Sequence, residues 1–133
     1  MLTEIAFYPV FGKPLVLYVG ILTLISFSIT ATIGISIYKG LLHIKFIWHP
    51  TMAGISFSLA IIMAILGYTV GIPLIGILGI ITLISFSTTA ILGISIHKRW
   101  VNIKFIRHPT MAGISFLLAI VHGIMGILAL AFL

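Results

Sequence analysis

Residues 72–96 read IPLIGILGIITLISFSTTAILGISI, 25 positions without a charged side chain. As an α-helix this run is about 37 Å long at 1.5 Å per residue, enough to cross a hydrocarbon core of about 30 Å. Residues 15–38, 50–70 and 109–131 are comparable uncharged apolar runs. In hydrocarbon every peptide group must be paired within its own helix or in a closed barrel, and these runs are too long and too evenly apolar for barrel strands. The expected fold is all-α, a polytopic membrane four-helix bundle, with residues 1–133 forming a single transmembrane domain. Composition agrees: 62% of the 133 residues are apolar and 6% charged, too little polar surface to coat a soluble globule and too little charge for a disordered chain. With no cysteine, disulfide scaffolds, zinc–thiolate sites, cysteine-bound iron–sulfur clusters and covalently attached haem are excluded.

Charge placement orients the spans. Lys39, Lys45, Lys98, Arg99, Lys104 and Arg107 fall between the first and second runs or between the third and fourth, leaving Lys13 as the only other cation. By the positive-inside rule both basic loops are expected to face the cytoplasm and both termini the outside. The net charge of +6 therefore reads as topology and attraction to anionic headgroups, not as nucleic-acid binding. Trp48 and Trp100 lie in these loops, where interface-seeking indole belongs. Residues 1–7 include an acid and lack the basic start of a cleavable signal, so the first span is expected to be retained.

Residues 23–67 map without a gap onto residues 82–126 at an offset of 59, with 31 of 45 positions identical. The two repeats take in about residues 20–68 and 79–127, each a helical hairpin with a basic loop. Loops on the same side make them parallel repeats about a pseudo-two-fold axis along the membrane normal. A residue kept in both copies then occurs twice at one depth, and two such residues facing the axis can meet on one ligand.

The block kept most fully runs from His49-Pro50 to Phe57 and from His108-Pro109 to Phe116. Proline suits the first helical position, which would make each histidine an interfacial cap with its ring among the headgroups. The other reading is ligation, because two equivalent imidazoles at one depth can hold a six-coordinate iron from opposite sides. His122 follows His108 by 14 residues, within about 40° of the same helical face and about 21 Å along the axis. Its counterpart in the first copy is Met63, 14 residues after His49. Methionine is either apolar filling or an axial partner of haem iron, and an imidazole deep in a span is costly unless it has a task.

Two histidines 14 residues apart on one transmembrane helix, facing ligands on a second helix of a four-helix bundle, resemble the membrane b-type cytochromes. The stretch from Lys98 through Arg107-His108-Pro109 to His122-Gly123 is most similar to the cytochrome b561-like and ferric-reductase-like haem proteins. The resemblance implies one or two molecules of non-covalently bound haem b, with His49, His108, His122 and Met63 as iron ligands. It also implies electron transfer across or within the bilayer, to or from a quinone or a partner redox subunit. Lys45, Arg99, Lys104 and Arg107 would pair with propionates at the cytoplasmic edge, and Gly54 and Gly113 would be small neighbours of the macrocycle. The ligand pattern is complete only in the second hairpin, since Met63 stands where the first would need a histidine.

The stripe Thr23, Ser26, Thr30 and Gly34, repeated as Thr82, Ser85, Thr89 and Gly93, reads as close helix–helix packing or as room for a macrocycle. His97 replaces Tyr38 and His43 is replaced by Asn102, so both read as interfacial, with His97 the reserve ligand. The single acid, Glu4, lies outside the spans, which argues against proton-coupled cation export, a proteolipid and triad hydrolysis. The alternative to an electron carrier is a non-catalytic accessory subunit or membrane scaffold, cellular or viral, without a cofactor. Either reading expects a partner, as a homo- or hetero-oligomer.

Overall fold

The structure is a computed structural model and describes residues 1–41, 43–69, 71, 73–100 and 102–131. A short helix α1 (Leu2–Ala6) and a two-stranded hairpin, β1 (Pro9–Val10) and β2 (Lys13–Pro14), precede four long helices: α2 (Leu15–Lys39), α3 (Trp48–Tyr68), α4 (Pro73–His97) and α5 (Arg107–Ala131). All four are long and apolar enough to cross a membrane, and they pack against each other as an all-α bundle. Residues 70 and 72, where the second expected span ends and the third begins, lie outside the described residues.

Helices α2 and α3 form one hairpin and α4 and α5 the other, while α2 also packs on α5 and α3 on α4, closing a ring of four. The apolar side chains point mostly outward, as they must where the solvent is lipid. Hydroxyls and glycines fill the interior instead. Ser56 is fully buried, its Oγ 2.7 Å from Ser26 Oγ and 2.9 Å from Thr30 Oγ1. Ser115 makes the matching contacts to Ser85 at 2.7 Å and Thr89 at 2.9 Å. The stripe on α2 and α4 therefore fastens each hairpin internally.

Aromatic contacts related by the 59-residue offset also join the hairpins. Phe27 and Phe86 stack across the interior with centroids 3.7 Å apart. At the basic-loop end Tyr38 stacks on Phe105 at 5.7 Å, and the corresponding pair, His97 and Phe46, lies 5.1 Å apart.

Helix ends explain two local choices. Gly40 takes φ 63° after α2, where its N–H and that of Leu41 bond to the carbonyls of Ile37 and Ser36. The same turn after α4 is made by Arg99 at φ 54°, a left-handed conformation that strains a residue with a Cβ. The prolines correct an expectation. Helix α3 starts at Trp48 and α5 at Arg107, so Pro50 and Pro109 are the third helical residues, still within the first turn, where a missing N–H costs nothing. His49 and His108 are thus inside the helices, not ahead of them.

The opposite end is closed by the N-terminal segment. Ala6 is fully buried in a cluster with Val16, Leu66 and Leu130, against which Leu17, Val19 and Met63 pack. The hairpin after α1 turns through Phe11 at φ 47° and Gly12 at φ 77°, two successive positive values typical of a tight β-hairpin.

Candidate functional site

Helical geometry places two tiers of polar or polarisable side chains in the interior. In the first, near the basic loops, His49 and His108 occupy the first turns of α3 and α5 and point inward. Their rings face each other with centroids 6.1 Å apart and planes at 83°. Two imidazoles on one metal stand about 6 Å apart centre to centre, counting about 2 Å for each metal–nitrogen bond. Each ring is backed by a glycine of its own hairpin: a Cβ on Gly34 would lie 2.9 Å from His49 Cε1, and one on Gly93 would lie 2.9 Å from His108 Cε1.

His108 Nδ1 lies 3.1 Å from the Thr89 carbonyl, which can only accept, so Nδ1 donates in that bond. A metal-ligating histidine commonly has its other ring nitrogen held by the backbone in this way. His49 Nδ1 is buried without a hydrogen bond of regular geometry, although the Thr30 carbonyl stands beside it.

The second tier lies 14 residues further along α3 and α5, about 21 Å away. There Met63 and His122 line the same cavity of about 80 Å³, together with Gly20, Gly79 and Gly126. Glycine again backs each side chain: a Cβ on Gly20 would sit 3.4 Å from Met63 Cε, and one on Gly79 would sit 3.0 Å from His122 Cε1. His122 Nδ1 is buried without a regular hydrogen bond, with the Ile75 carbonyl nearby.

The four backing glycines repeat the 14-residue spacing of the side chains they face. Gly34 and Gly93 were read in the sequence as packing, and Gly20 and Gly79 were not singled out. Gly54 and Gly113, expected beside the macrocycle, are both exposed, and an added Cβ on either would meet nothing within 4 Å. They lie about 140° around the helix from His49 and His108, five residues on at 100° each. Lys45, Arg99, Lys104 and Arg107 are exposed at the same end as the histidine pair. His97, the reserve ligand, is exposed and stacked on Phe46. His43 and Trp48 are exposed, as is Trp100, over whose ring the Lys98 ammonium lies at 5.3 Å.

Among the described residues no group of three or more His, Cys, Asp or Glu side chains is placed to hold a metal ion. Each tier brings together two donor side chains, one from α3 and one from α5. Comparison with known protein families, with characterised proteins and with solved structures finds no match.

Proposed function

We propose that this protein is a membrane b-type cytochrome, binding haem b non-covalently between its two helical hairpins. The observation that carries the reading is the facing pair His49 and His108, 6.1 Å apart, each ring seated on a glycine that leaves no room for a larger residue. The donor chemistry suits haem iron: two imidazoles, one with its Nδ1 held by the Thr89 carbonyl. His122 and Met63 are the donors for a second haem. When bound, haem b supplies a one-electron ferric/ferrous couple.

The chain's own residues do the rest. His49 and His108 fix the depth of the first site, and Ser56 and Ser115 hold the hairpins that carry them. Lys45, Arg99, Lys104 and Arg107 stand at that end for propionates, while Ala6, Val16, Leu66 and Leu130 keep water from the other end. The cavity beside Met63 and His122, about 80 Å³, is smaller than a tetrapyrrole, so a haem at that level would require the helices to separate.

In this reading the hairpins are parallel repeats about an axis normal to the membrane, with basic loops in the cytoplasm and termini outside. Electrons pass to or from a quinone or a partner redox subunit. The test is the visible spectrum of protein purified after expression with ample haem supply. A sharp Soret band and a reduced α-band of b type are expected, both diminished by His49→Ala or by His108→Ala. A colourless preparation leaves a cofactor-free scaffold and ends the redox reading.

A further inference from the structure

Residues 1–14 lie ahead of the four long helices, yet most of their apolar side chains face outward. Leu2, Ile5 and Tyr8 are exposed, and Phe11, at the tip of the β1–β2 hairpin, is 96% exposed. The segment that presents them is firmly mounted. Helix α1 packs on α2 and α3, Ala6 is buried with Val16, Leu66 and Leu130, and the Leu15 N–H donates to the Tyr8 carbonyl at 2.9 Å. We infer that residues 1–14 form an interfacial foot, whose Tyr8 and Phe11 insert into the lipid interface at the end opposite the basic loops.

The first support is a residue choice. A two-residue turn with two positive φ values is ordinarily made by Asn-Gly or Asp-Gly, because a Cβ opposes the left-handed conformation. Here the pair is Phe11-Gly12, at φ 47° and 77°. A large apolar ring thus stands where backbone sterics and water both oppose it, and lipid removes the second opposition.

The second support is depth. Each strand has two residues, so the tip stands no more than about 10 Å from the start of α2, three steps at about 3.4 Å. Because α2 opens the first apolar span at Leu15, this distance keeps Phe11 close to the membrane boundary and makes the foot continuous with the lipid-facing side chains below it. Trp48 and Trp100 are exposed at the basic end, and Tyr68, the last residue of α3, is exposed at the other. Tyr8 and Phe11 add to the aromatic belt at that second boundary.

The third support is charge. Residues 1–14 carry one acidic side chain, Glu4, and one basic, Lys13. With no net side-chain charge the foot suits zwitterionic headgroups, and its attachment comes from apolar and aromatic burial.

The experiment is power-saturation electron paramagnetic resonance on the full chain in phosphatidylcholine vesicles. The chain has no cysteine, so Tyr8→Cys carries a nitroxide at a single position. Oxygen concentrates in lipid and a nickel chelate stays in water, and the label is expected to meet oxygen more than nickel. Phe11→Asn suits the left-handed turn but lacks the ring, so it should reverse that order, whereas Phe11→Trp should preserve it. Nickel exceeding oxygen before any change at Phe11 overturns the inference, as does an order that Phe11→Asn leaves intact. A label shielded from both also overturns it, because the segment then lies against protein. The readout is independent of pigment, so the foot and the haem reading stand or fall separately.

Discussion

The two hairpins share most of their residues over the repeat, yet they differ where a shared ancestry would least predict it, on the inward face of the second helix. At the basic end both contribute histidine, and the two rings meet. At the other end one contributes methionine and the other histidine. The packing scaffold around both positions is unchanged: the same serine and threonine contacts, and glycines at the same offset. The two hairpins thus differ in one inward-facing side chain while keeping the contacts that surround it.

The strongest way to break this comparison is to fill the glycine seats. Gly34→Ala and Gly93→Ala force a Cβ to within 2.9 Å of an imidazole and should each cost about 1–3 kcal/mol, read by unfolding in mixed micelles. Gly54→Ala and Gly113→Ala meet open space and should be neutral or stabilising by up to about 1 kcal/mol. Equal losses at all four positions would show that general helix crowding, and not the histidine seats, sets the effect.

A smaller effect separates the helix ends. Arg99 holds the left-handed turn that Gly40 holds in the first hairpin, so Arg99→Gly should stabilise the chain by about 1 kcal/mol, and Gly40→Arg should destabilise it similarly. The same unfolding assay reads both, and a loss on Arg99→Gly would place the arginine's value in a contact instead. The smallest difference concerns the hydroxyl clasps. Ser56→Ala and Ser115→Ala should each cost about 0.6 kcal/mol, the usual scale for hydrogen bonds between membrane helices. Because their partners lie at the same distances, the two losses should match; unequal losses would show that the hairpins differ in more than the Met63 and His122 pair.

The spans were legible because hydrocarbon leaves the backbone one economical answer and charge marks where each run stops. Residues 1–14 were not, since strands of two residues and a helix of five have no periodicity to read. His49 and His108 were recognisable from their duplication, but their place within the helix was not. A proline is as acceptable at the third helical residue as at the first, so the sequence leaves the helix start open by two residues.

Gly20 and Gly79 escaped notice because glycine is frequent in transmembrane helices. Their signal was a shared interval: Gly20 to Gly34 and Gly79 to Gly93 match His49 to Met63 and His108 to His122. Gly54 and Gly113 follow His49 and His108 by five residues, a helical phase that carries them away from the histidine face.

The stacked pair Phe27 and Phe86 sits at mid-length, seven residues from either glycine tier of α2. With ring centroids 3.7 Å apart and Phe27 buried, it sets hydrocarbon across the line joining the two polar levels. The nearest hydroxyls, Ser26 with Ser56 and Ser85 with Ser115, are already paired within their own hairpins. The bundle is thereby plugged at mid-length, and neither end opens onto the other between the two rings.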